Sequence, residues 1–172
     1  MTPRLVIAAV LVAALCAPAC NASDYYAEDA DGEFRFALLD EAIQHKRDGQ
    51  RALWRIEDPP ITVTMQRVSK RDTMVRERTL RAVVDAIGTR YSEHEVEGSM
   101  SRRGCTVAGR DAYCLDGFVD NSEGERFIRR GVLVEVKNAF VLIEAVGSRR
   151  FMAAVRQQAD LLKRSLEIRD PS

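Results

Sequence analysis

Gly104-Cys105-Thr106-Val107-Ala108-Gly109-Arg110-Asp111-Ala112-Tyr113-Cys114-Leu115-Asp116-Gly117-Phe118 spells out a β-hairpin. Two runs rich in β-branched and aromatic residues flank Gly109-Arg110, which suits a two-residue type II′ turn with glycine at its first central position. The pattern predicts strands over residues 104–108 and 111–118. A turn centred there sets Cys105 directly opposite Cys114, in a non-hydrogen-bonded site where Cα atoms lie about 4.5 Å apart. That is the short end of what a disulfide accepts. Closing a loop of about ten residues contributes on the order of 2 to 3 kcal/mol in the chain-entropy account. The alternative, a redox-active pair, needs a low-pKa thiolate, usually at a helix N-terminus, and a hairpin supplies none. A structural Cys105–Cys114 bridge is the favoured reading.

The alternating pattern continues on both sides of this hairpin. Residues 93–101, 126–136 and 139–146 read as strands, with turns at Gly104, residues 121–124 and Lys137-Asn138. Upstream, residues 34–38 alternate, residues 39–46 allow one or two helical turns, and Asp58-Pro59-Pro60 breaks the chain between strands at 52–57 and 61–68. Trp54 alternates with Ala52 and Ile56, which places it in the core. The period then changes. Ser69-Lys70-Arg71-Asp72 offers caps, and Leu80, Val83, Val84 and Ile87 recur at helical spacing, so a helix is predicted over 73–87. A second is predicted over 149–166, with Phe151, Val155, Ala159, Leu162 and Leu166 on one face. The expected fold class is α+β, an antiparallel β-sheet covered by two long amphipathic helices in a layered α/β/α sandwich.

This order of elements resembles the PsbP-like α/β/α sandwich superfamily. The residues that carry the likeness are Ile61-Thr62-Val63-Thr64-Met65, the Gly109-Arg110-Asp111-Ala112 turn, Phe140-Val141-Leu142-Ile143 and the closing Leu161-Leu162-Lys163-Arg164-Ser165-Leu166. The resemblance spans most of residues 34–168. It implies kinship with photosystem II extrinsic subunits, a nuclear-import factor that binds the Ran GTPase, and small bacterial lipoproteins. It brings no residue-level functional motif.

The first 22 residues read as an exported protein's leader. Arg4 precedes an apolar run from Leu5 to Leu15, followed by Ala17-Pro18-Ala19-Cys20-Asn21-Ala22. Eleven apolar residues fall short of the roughly 20 that span a bilayer. Cleavage after Ala22 removes Cys16 and Cys20, whereas cleavage after Ala19 leaves Cys20 at the new N-terminus, where acylation would account for an odd cysteine. Both outcomes stay open: a soluble periplasmic or secreted protein, or one lipid-anchored through Cys20. The domain reading is thus a signal peptide over 1–22, an acidic tether over 23–33, and a single domain over 34–168.

Charge excludes one partner class. The chain holds 26 basic and 26 acidic residues, so with Arg4 removed the balance is one acid in excess, which argues against nucleic acid. The doublets Arg102-Arg103, Arg129-Arg130 and Arg149-Arg150 are candidates for a surface that holds an acidic partner or anionic lipid, each with a solvated edge as the plainer reading.

Catalytic and metal signatures are sparse. His45 and His94 lie far apart, and Glu93, His94, Glu95 and Glu97 form the densest ligand-like group, whose plainer reading is a charged edge strand. Residues 120–125 lack the spacing of a helix-loop-helix calcium site and read as a hairpin loop. No Gly-x-Ser-x-Gly elbow or phosphate-cradling glycine loop is present. The expectation is therefore a non-enzymatic exported envelope protein, without cofactor, metal or catalytic residues, that binds another protein or a ligand. The competing class is a small-molecule carrier or enzyme using a cleft between sheet and helix.

Overall fold

In the computed structural model, residues 24–29, 31–47, 50–70 and 98–169 are described. They form ten strands: β1 (Tyr25–Glu28), β2 (Phe34–Leu38), β3 (Ala42–Arg47), β4 (Arg51–Ile56), β5 (Ile61–Ser69), β6 (Gly98–Val107), β7 (Arg110–Asp120), β8 (Arg126–Glu135), β9 (Ala139–Ser148) and β10 (Glu167–Ile168). A 3-10 turn, Arg149–Phe151, leads into one long helix, α1 (Met152–Ser165). The strands make a seven-stranded antiparallel sheet in the order β3-β4-β5-β9-β8-β7-β6 and a three-stranded sheet in the order β1-β2-β10. The architecture is α+β, as expected. The helix predicted over 73–87 lies outside the described residues, among which α1 is the one long helix.

α1 packs the predicted stripe. Val155, Ala159 and Leu162 are fully buried against Val132, Val134, Ile143 and Ala145 of the large sheet and Phe34, Phe36 and Leu38 of the small one. Trp54 is buried in the same cluster and meets the Phe36 ring edge-on at 5.3 Å. Central β9 shows why a strand need not alternate: Phe140 and Leu142 face the other way, join Leu115 and Leu133, and are at most 5% exposed, so both of its faces are apolar.

A fully buried amide couples the small sheet to the helix. Gln158 Nε2 donates to the Ala37 carbonyl at 3.0 Å, and its Oε1 accepts from the Leu39 N–H at 2.8 Å. Two turns on, Ser165 Oγ accepts from the Ala37 N–H and donates to the Leu161 carbonyl. β10 pairs with β2 only at Phe34 and Arg35, so these two side chains satisfy the backbone of β2 beyond the end of its neighbour.

Four expectations change. Residues 25–28 are not a free tether: they pair with β2, while buried Asp29 accepts from the Phe34 N–H and joins Glu33 in an ion pair with Arg67. Apolar Ala27 and the carboxylate of Asp29 each find a partner that only the folded chain provides. Residues 42–47, with helix-tolerant side chains, form β3 because β4 offers them an open ladder, with a bulge between Gln44 and Lys46. Gly104 does not break the chain: β6 runs unbroken through it. The hairpin turn is Ala108-Gly109 rather than Gly109-Arg110, with positive φ at both residues (52° and 72°), the signature of type I′. Ala108 pays for this with a left-handed conformation that only a well-paired hairpin sustains.

Replacing Gln158 by leucine keeps the volume and removes both bonds. We expect a loss of about 2 to 4 kcal/mol in chemical denaturation, because the Ala37 carbonyl and Leu39 N–H stay buried without partners. A loss below about 1 kcal/mol would show that this amide does not couple helix and sheets.

Candidate functional site

The shift of the turn by one residue moves the register of β6 on β7 by two, so every side chain keeps its face. Cys105 pairs with Ala112, and Cys114 with Arg103, which turns the expected direct pair into a diagonal one. The disulfide still forms, with Cα atoms 5.9 Å apart. It ties the outermost strand of the large sheet to its neighbour. Gly117 brings the same two strands close at the other end: a Cβ there would sit 2.2 Å from the Ser99 carbonyl oxygen. β6 is thus held firmly along one side, while its residues from Gly98 to Thr106 are exposed or half-buried.

Directly inside this edge lies a recess of about 350 Å³ lined by Ser101, Arg102, Arg103, Asp116, Arg130 and Lys163. Strand parity starts the two side chains of each doublet on opposite faces, yet both Arg102 and Arg103 line the recess at the sheet's edge, whereas of Arg129 and Arg130 only the second does. Arg103 and Arg130 face the helix side and meet Lys163 from α1. Arg129 faces the opposite side, ion-paired with buried Glu144. Arg130 pairs with Asp116, and Lys163 Nζ lies 2.9 Å from Asp160. Arg130 Nε is buried with no acceptor among the described residues. Four cations therefore line a recess whose carboxylate, Asp116, and its neighbour Asp160 are already engaged, leaving a local positive excess on a chain of zero formal charge.

The third doublet is elsewhere. Arg150 stacks on the Phe151 ring at 4.8 Å and lines a separate cleft of about 490 Å³ with His45, Arg55, Glu125 and Phe127. His45 thus reaches a concave surface. His94 and the glutamates at 93, 95 and 97 lie outside the described residues, as does Cys20. Residues 121–125 form a tight loop in which Asn121 Oδ1 accepts from the Glu123 and Glu125 N–H groups. Asp120 holds both Arg126 Nε and Nη2 at 2.7 Å, and that guanidinium covers the Phe118 ring. Among the described residues no three His, Cys, Asp or Glu gather as a metal site would need.

Two carboxyls have lowered pKa values, and the main cause of each is a hydrogen bond from a cation: Arg126 for Asp120, Lys163 for Asp160. A depressed folded-state pKa adds stability above the unfolded value, and that stability is lost as pH falls through the folded value. Carboxyl-carbon NMR should therefore give titration midpoints below 3.8 for both. Lys163→Gln should return Asp160 toward 3.8 and leave Asp120 unchanged; a common shift of both would refute the pairwise cause.

No family model matches the chain, and no curated protein does. Solved structures do match. Cyanobacterial PsbP (CyanoP) from Synechocystis aligns with a TM-score of 0.62 at 12% identity, over 90% of this chain and 97% of that one. LpqN of Mycobacterium tuberculosis, a protein involved in cell envelope biogenesis, aligns at 0.56 and 12%, over 84% and 90%. A Pseudomonas aeruginosa protein of unknown function aligns at 0.55 and 11%, over 77% and 100%. At such identity the likeness is one of fold, and this fold is PsbP-like.

Proposed function

We propose that this chain is a non-enzymatic module exported to the cell envelope, where it binds another protein through the basic margin formed by β6, β8 and α1. The observation that carries the reading is the convergence of Arg103, Arg130 and Lys163 in one recess beside a disulfide-tied hairpin. A charged recess on rigid elements suits recognition, because its geometry costs no reordering on binding. The two carboxylates beside it are engaged in ion pairs and are poor candidates for a general base. Export follows from the leader pattern, and the envelope role of a structural neighbour is consistent with it. The layered α/β/α sandwich belongs to the same reading, with the buried face around Phe140 and Leu142 as the sheet's second packed face.

A second reading, a small-ligand carrier or enzyme, is favoured by the other cleft, where His45 and Glu125 lie with two arginines on a partly apolar wall. The two readings predict contacts at different places.

A photo-crosslinking residue placed at Ser101 or at Arg55 in the native host separates them. The protein-binding reading expects adducts from position 101 that disappear with Lys163→Glu or raised salt. Protein adducts from neither position, with small-molecule adducts from position 55, would favour the carrier. Intact mass spectrometry of the same preparation tests export: a chain starting at Ser23, or at acylated Cys20, supports it, and an intact leader refutes it.

A further inference from the structure

β6 is the outermost strand of the large sheet, and at ten residues it is about twice the usual strand length. It pairs with β7 through ten consecutive partners, from Gly98–Val119 to Val107–Arg110, without a bulge. Proteins normally disarm such an edge by shortening, bulging or covering it. Here, among the described residues, it carries no bulge and no covering strand, and the Arg102-Arg103 doublet stands at its centre.

The turn decides which backbone groups are open. In a two-residue hairpin the pair flanking the turn, Val107 and Arg110, exchanges both hydrogen bonds, and alternate pairs along the ladder do the same. The N–H and C=O groups of Ser99, Ser101, Arg103, Cys105 and Val107 therefore point at β7. Those of Met100, Gly104 and Thr106 point away from it, toward the place a further strand would take.

We infer that β6 receives an extended acidic segment of a partner protein as an eighth strand of the sheet. This rests on the protein-binding reading above and specifies how the partner is held. Strand addition needs an open ladder for affinity and a pocket for alternate side chains for specificity. Both are present side by side: the recess containing Arg103, Arg130 and Lys163 opens directly inside the edge, where a carboxylate on the added strand would reach it. Asp116, the carboxylate on this side, is held by Arg130. Charge also rejects the obvious competitor, a second copy of this chain. Antiparallel pairing of two β6 strands about their midpoint sets Arg102 opposite the Arg103 of the other copy, twice, and like charges directly opposite destabilise a sheet.

The probe is a short synthetic peptide alternating glutamate and valine between threonines, with a version N-methylated on alternate amides. Added to the mature protein in low salt, the plain peptide should slow amide exchange at Met100, Gly104 and Thr106 but not at Ile143, where β9 is already paired on both sides. N-methylation should weaken binding by roughly tenfold or more, since it removes ladder donors and leaves charge unchanged. Gly104→Pro should do the same from the protein's side. Position 104 has room for a side chain, and proline there removes only an outward N–H. Equal binding of both peptides, lost in Arg103→Glu, would overturn strand addition while leaving a charge-held partner intact. No binding of the plain peptide would overturn the acidic occupant, and the crosslinks from Ser101 would then say whether the margin binds protein at all. A concentration-dependent dimer of the free protein blocked by Gly104→Pro would identify a second copy as the occupant and overturn the inference.

Discussion

The fully buried amide of Gln158 is the contact on which the rest of this structure hangs. It sits in an otherwise apolar stripe of α1 and reaches the backbone of β2, so one side chain fixes the helix against the small sheet while its neighbours Val155, Ala159 and Leu162 fix it against the large one. Dispersion and burial would let the helix slide, since apolar contacts have no preferred direction. Two short hydrogen bonds with buried partners do not. They set the axial position of α1, and through it the place where Lys163, five residues later, meets Arg103 and Arg130.

The other fixed point is the hairpin. Its turn could be centred on either of two adjacent bonds without changing which side chains face the helix, because a one-residue move of the turn shifts the register by two. What it changes is the partner of each cysteine and the set of backbone groups left pointing outward. The type I′ turn at Ala108-Gly109 gives a diagonal disulfide and turns the backbone groups of Met100, Gly104 and Thr106 away from β7. Disulfide, recess and open edge thus lie within one corner of the large sheet.

Charge is distributed by parity rather than by proximity in sequence. The Arg129-Arg130 doublet sends one guanidinium to each face of its strand. Arg129 ends in a buried pair with Glu144, a structural role, while Arg130 borders the recess. Aromatic faces take up several of the remaining cations: Arg35 on Tyr26, Arg67 on Phe34 and Arg126 on Phe118. Such stacking keeps guanidiniums ordered and their apolar faces covered.

Much was legible from residues alone. The two-cysteine hairpin, the core position of Trp54, the apolar stripe of the closing helix and the α+β class follow from periodicity and turn chemistry, which are local properties. The acidic segment before residue 34, the third strand and the grouping of Arg103 with Arg130 and Lys163 were decided only in three dimensions. Residues 25–28 and 42–47 have weak intrinsic preferences, and a neighbouring strand with open hydrogen bonds assigned their state. Nothing local marks Gln158 as buried, because no sequence pattern says that the Ala37 carbonyl and the Leu39 N–H will need partners beside it. The splitting of Arg129 from Arg130 is legible in sequence, since alternation on a strand starts adjacent side chains on opposite faces. Which of the two would find a lysine from a helix more than thirty residues away required the packing of α1 on the sheet, a long-range consequence of burial that no local pattern encodes.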